Sequence, residues 1–244
     1  CQSRASYTQQ LAQILESLLP DNGVGSISTL PLGWPHAPWH SENFSLAADF
    51  LLATARYLHR LSEKRGCEIV LAIEPEPGCV LETAQGLVTF FEKYLLSGPD
   101  SEMARQHLTV CHDICHSGVM FEPQRQALET YRSAGIRIGK VQVSSAIHVP
   151  WELAVGNSES QSVILQQLTN LHETRYLNQT TVSDSSGRLE KLAEDLPMAL
   201  ERWISHGMPE RPWRIHFHVP IYVERFGVLS TTQSDISDAC QFLE

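Results

Sequence analysis

The sequence predicts an α/β protein built as a parallel (β/α)₈ barrel, and three observations carry that reading. Short apolar runs alternate with helical patterns of roughly 10–20 residues, which implies βαβ units and a parallel sheet. Neither G-x-G-x-x-G nor G-x-x-x-x-G-K follows an early strand, so the phosphate loop of a doubly wound nucleotide fold is missing. Polar residues of ligand type instead stand at the ends of many different runs, as they do around the rim of a barrel.

Each element follows from its own pattern. Residues 6–19 repeat apolar side chains at helical spacing, and residues 25–30 form a short strand that runs into a Pro- and Trp-rich loop over 31–40. Asn43 or Ser45 caps a long amphipathic helix with Phe50, Leu51, Thr54, Leu58 and Leu61 on one face, closed by Gly66. Residues 68–73 read as a buried strand, the Pro-Glu-Pro-Gly segment to Gly78 as its turn, 83–96 as a helix and 108–112 as a strand. Pro123 opens a helix that stops at Gly135, and 136–144 alternates like a strand. Residues 150–168 are partly helical, 174–182 extended and 184–187 a turn. A helix is expected over 189–206, kinked or broken at Pro197, then a strand over 213–219 and a helix beginning near 230. The chain opens at Cys1 and stops at Glu244 in mid-pattern, so the expectation is one barrel domain over 1–244, short of strands at both ends.

Composition narrows the function. With 244 residues and 42% apolar content the chain can bury a sizeable core. A net charge of -10 without a cluster of lysines and arginines opposes a nucleic-acid partner held through phosphates. No apolar run approaches the roughly 20 residues that cross a bilayer, so no membrane insertion is expected. Six scattered cysteines read as reduced thiols in a cytoplasmic protein.

The chemistry-bearing residues fall at the predicted strand ends. Trp34, His36, Trp39 and His40 follow the first strand, Glu74 and Glu76 the second, and His112, Asp113 and His116 the third. Lys140, Gln142 and Ser144 alternate on the next, Gln179 lies in the following extended run, and His216 and His218 share a strand face because side chains alternate with period two. Single ligands from separate strands meet on a barrel rim. Oxygen and imidazole donors of this kind suit a divalent ion, Zn, Mn or Mg. The metal set is therefore Glu74, Asp113, His116, His216 and His218. Glu74 and Glu76 are the carboxylates available to move a proton, and Trp34, His36, Lys140 and Gln142 the substrate-binding side chains. Each has a plainer reading as well. The histidine pair can be buried and hydrogen-bonded, Glu74 and Glu76 can be solvated turn acids, and the tryptophans can pack a core. Cys111 and Cys115 lack a C-x-x-C spacing and read as small buried residues.

The strings Ile73-Glu-Pro-Glu-Pro-Gly78, Cys111-His-Asp-Ile-Cys-His116, Lys140-Val-Gln-Val-Ser-Ser145 and His216-Phe-His-Val-Pro220 resemble the xylose-isomerase-like TIM-type barrel superfamily, and within it the EboE-type metabolite traffic proteins. The resemblance implies a metal held by Glu74 and Asp113, with His116 as the histidine of an endonuclease-type D-x-x-H. Gln142 stands where a third ligand is expected, and the final glutamate lies beyond Glu244. The function so implied is a metal-dependent sugar isomerase or epimerase acting on a small polyhydroxylated or carbonyl metabolite. Two rivals stand beside it: a non-catalytic metabolite-binding or traffic protein on the same barrel, and an endonuclease-type phosphodiesterase, which the net charge opposes.

Overall fold

The structure, a computed structural model, describes residues 1–36, 38–171, 175–205, 207 and 209–244. Contacts divide the chain into two compact units. Unit 1 comprises Cys1–His112 with Leu128–Val141, and unit 2 comprises Asp113–Ala127 with Gln142–Glu244.

Unit 1 is built on β1 (Val24–Thr29), β2 (Glu68–Ile73), β3 (Leu108–Asp113) and β4 (Ile138–Gln142), which pair in that order. β1 runs parallel to β2, and β2 parallel to β3. α1 (Gln2–Leu18) precedes β1, α2 (Ser41–Arg65) joins β1 to β2, α3 (Ala84–Phe90) with a π-turn over Phe91–Leu95 and α4 (Ser101–His107) join β2 to β3, and α6 (Gln124–Ser133) leads into β4. The apolar runs become strands because both of their faces are covered. Ile69, Leu71, Ile73, Leu108 and Val110 are buried together with Leu58, Leu87, Phe90 and Phe91 from the helices. Gly66 ends α2 in the left-handed region (φ 72°), as its position in the sequence implies. The cap at the other end of α2 is His40 instead of Asn43 or Ser45. Asn43 sits one turn in and accepts the His40 backbone N–H at 3.0 Å. Lys140 Nζ on β4 donates to Ser28 Oγ on β1 at 3.3 Å. The edges of a flat four-stranded sheet stand about 14 Å apart, so this sheet is curled.

Unit 2 departs from the prediction. Its strands are β5 (Ser145–Val149), β6 (Thr180–Ser183), β7 (Leu189–Ala193), β8 (Trp213–Val219), β9 (Arg225–Phe226) and β10 (Leu229–Thr231). They form a second sheet in the order β7-β6-β8-β5-β10-β9, and its pairings are antiparallel. The eight-stranded parallel TIM-type barrel is thus overturned, and with it the xylose-isomerase-like label and the isomerase or epimerase reading that depended on a parallel rim.

The physical reason lies in the connections. Parallel neighbours need a crossover of a dozen or more residues, whereas β6 and β7 are joined by a turn in which Asp184 Oδ1 accepts the backbone N–H groups of Ser186 and Arg188. The chain returns along β7 through residues expected to be helical. The helix of that stretch is only α8 (Leu196–Ile204), capped by Asp195, with Pro197 in its first turn where no intrahelical N–H is required. The predicted strand over 136–144 is β4, and β5 begins just beyond it at Ser145, where no strand is predicted. Residues 37, 174 and 206 of the predicted loop, extended run and helix lie outside the described residues.

One face of the second sheet packs Ile147, Val149, Trp213, Ile215 and Leu229 against Trp151, α8 and α7 (Ser158–Asn170). The other face of β8 presents Arg214, His216 and His218, and α5 (Ile114–Val119) lies against it with all six residues buried. Arg214 Nη1 donates to the Gly118 carbonyl at 2.6 Å and its guanidinium covers the Phe121 ring at 4.4 Å, which ties α5 to β8. A Cβ on Gly118 would lie 3.1 Å from Asp235 Oδ2 on α9 (Gln233–Leu243), so a larger residue there would press on the Asp235 side chain. Among the described residues no helix is long and apolar enough to cross a membrane.

Candidate metal centre

Five of the sequence-selected residues meet in unit 2: Asp113, His116, Gln142, His216 and His218. The first two arrive together because of a helix cap. Asp113 is the N-cap of α5, and its Oδ1 accepts the backbone N–H groups of Cys115 at 2.8 Å and His116 at 3.2 Å. An aspartate in this place contributes about 1 kcal/mol to the helix. It also turns His116, three residues on, to the same side as the carboxylate. The D-x-x-H spacing is therefore a cap and the third helical residue. Gln142 is not a stand-in ligand; its Nε2–H donates to Asp113 Oδ2 at 2.8 Å and fixes the carboxylate plane.

β8 supplies the other two imidazoles, one pleat repeat apart. His216 Nε2 lies 3.1 Å from His116 Nε2 and 3.1 Å from His218 Nε2. The ring centroids are 4.7 Å apart for His116 and His216, 4.9 Å for His216 and His218, and 5.4 Å for His116 and His218. His116 is buried, His216 half-buried and His218 exposed, so the cluster opens toward solvent at one end.

The second nitrogen of each β8 histidine is also held. His216 Nδ1 is 2.7 Å from Gln179 Oε1, which can only accept, so the proton is on Nδ1 and Nε2 carries the lone pair. His218 Nδ1 is 2.7 Å from Ser144 Oγ. Burial, then the neighbouring His116 and His218, push the His216 imidazolium down to about 2, so this ring is neutral at ordinary pH. Its single in-plane lone pair faces two imidazole nitrogens at equal distance and can accept a proton from only one of them. A cation between the nitrogens of either pair would be held by lone pairs on both, at a spacing of 3.1 Å in each case. Two nitrogens bound to one zinc at its usual 2.0–2.1 Å stand about 3.4 Å apart in a tetrahedron, close to the observed spacing. A donor whose other ring nitrogen is fixed by a hydrogen bond is the usual arrangement of a metal-ligating histidine.

Within unit 2, two overlapping ligand groups have their donor atoms within 4.8 Å of one another: Asp113, His116 and His218, and Cys115, His216 and His218. The spacing of Cys115 predicts a packing role, and the structure adds a second possibility. It is fully buried at the second position of α5, and its thiol donates weakly to the Phe217 carbonyl at 3.4 Å. Burial, followed by Asp113, raises its thiol well above the ordinary range, while a Ser144 hydrogen bond opposes the rise. The signal that could have found it is the Asp113 cap, which makes Cys115 and His116 successive first-turn residues.

The remaining candidates belong to unit 1. Glu74 is half-buried just after β2, its backbone N–H donating to the Thr29 carbonyl at 3.0 Å. Glu76 is taken into the following turn, where it accepts from the Cys79 thiol. Burial and then Glu76 push that thiol up to about 12. Gly78 N–H donates to Glu82 Oε2 at 3.0 Å, and the Trp34 ring lies 2.8 Å from where a Gly78 Cβ would be. Trp34 thus packs on the Glu-Pro-Glu-Pro-Gly turn, His36 is exposed, and Lys140 is held by Ser28. No protein-family model matches the chain, and no curated protein matches it.

Proposed function

We propose that unit 2 binds one divalent metal ion through His116, His216 and His218, and that the protein uses this centre to hold and activate a small metabolite carrying hydroxyl or carbonyl oxygens. The observation that carries the reading is His216 Nε2, a lone pair with an imidazole nitrogen at 3.1 Å on each side. Three imidazoles favour zinc and its neighbours over magnesium, which prefers oxygen donors. A bound zinc ion supplies Lewis-acid polarisation of a substrate oxygen.

The chain's own residues do the rest. Gln179 keeps the His216 proton on Nδ1 and so keeps Nε2 available. Gln142 and the α5 backbone orient Asp113, whose Oδ2 retains a lone pair able to take a proton from a substrate hydroxyl. The exposed edge at His218 gives a small ligand its approach. The test is a zinc titration of the full chain, stripped of metal, against a chromophoric chelator. One site per chain is expected, weakened more than about 100-fold in His216→Ala. No competition with the chelator, or equal competition by the variant, overturns the reading.

A further inference from the structure

We propose that Cys115 is a ligand of the same ion, making the site a mixed imidazole–thiolate centre that selects zinc-like ions over magnesium and manganese. The inference rests on the metal reading above and goes beyond it in naming the ligand that sets selectivity.

Three observations support it. The Cys115 sulfur lies within 4.8 Å of the ligand nitrogens of both His216 and His218. Its present partners are weak or shared. They are the Phe217 carbonyl at 3.4 Å and the Ser144 hydroxyl, which also lies 2.7 Å from His218 Nδ1. Asp113, the other anionic candidate of unit 2, already receives three N–H donors: the backbone of Cys115 and His116 on Oδ1, and Gln142 on Oδ2.

Charge points the same way. A doubly charged ion among neutral imidazoles at a largely buried place needs compensating anions. Within unit 2 Asp113 supplies one negative charge, and a Cys115 thiolate supplies the second. On binding, the S–H bond breaks, the proton leaves to solvent, and the sulfur donates a lone pair to the ion, with no change of oxidation state. Thiolate is a soft ligand that magnesium and manganese bind poorly and zinc binds well. Zinc can carry a further oxygen ligand beyond four, so a thiolate on the buried side leaves the exposed His218 edge for substrate.

The experiment is zinc K-edge absorption on the full chain with the exposed Cys1 and Cys240 changed to serine. A sulfur shell near 2.3 Å together with imidazole scattering near 2.0 Å is expected. Among the described residues Cys115 is the thiol grouped with these histidines, so this arm needs no Cys115 variant. Adding Cys115→Ser should remove the sulfur shell and weaken zinc by more than about tenfold, while the affinity for Mn2+ changes little. Zinc bound by nitrogen and oxygen alone, or a sulfur shell that persists in Cys115→Ser, overturns the thiolate and leaves the imidazole centre standing. No zinc bound by any form overturns both.

Discussion

After β2 in unit 1, the acidic residues of the Glu-Pro-Glu-Pro-Gly segment enter a turn, where Glu76 takes the Cys79 thiol and Glu82 takes the Gly78 N–H. After β3 the chain does something different: Asp113 caps a buried helix and sends Cys115 and His116 toward the histidines of β8. Both segments looked alike as acids at the ends of apolar runs. The difference is what the carboxylate binds. Glu82 closes local structure over a few residues, whereas the Asp113 cap brings together donors separated by about a hundred positions, as in the His116–His216 contact. An acid at a strand end therefore marks a site only when its local hydrogen bonds leave donor atoms converging from elsewhere.

The sharpest way to break this comparison is at the β8 histidines. His218→Ala should lower zinc affinity by more than about 100-fold in chelator competition, while Glu82→Gln should leave it within about twofold. Equal losses would erase the distinction between the segments. Next come the residues that hold the ligands. Gln179→Leu frees the His216 tautomer and Gln142→Leu frees Asp113, and each should cost about 10- to 100-fold in zinc affinity with a small change in melting temperature.

On the unit 1 side, Gly78→Val places a side chain at φ 79° against Trp34 and should destabilise the protein by about 2–3 kcal/mol in urea. A neutral outcome would mean the turn does not hold Trp34 as described. The smallest effect concerns His148 on β5. Burial, then Arg214, lowers its imidazolium to about 4, below the unfolded 6.5. A depressed histidine favours the folded state while neutral, so its contribution is present above about pH 6.5 and is lost as pH falls toward 4. His148→Asn should flatten the pH dependence of stability in that window, and an unchanged profile would assign the dependence elsewhere.

The parallel half of the fold was legible because its signals are local. The fully apolar run Ile69–Ile73 and the glycine closing α2 each point to one structure. The antiparallel half was misread because β7 carries a mixed pattern and stands next to a helix. Asp195 followed by Pro197 was the usable sign that the helix begins there and not at residue 189. The strand over Trp213–Val219 and the shared face of His216 and His218 were readable from period two alone. What faces them was not, because α5 is six residues long and wholly buried, too short and too uniformly covered to show a helical period. Cys115 was lost with it.

The most direct test of the central claim is long-range proton–nitrogen NMR of the histidine rings in the full chain, before and after one equivalent of Zn2+. Coordination through Nε2 of His116, His216 and His218, with the His216 proton kept on Nδ1, is the predicted result. Imidazole nitrogen shifts that do not move on adding zinc would contradict it.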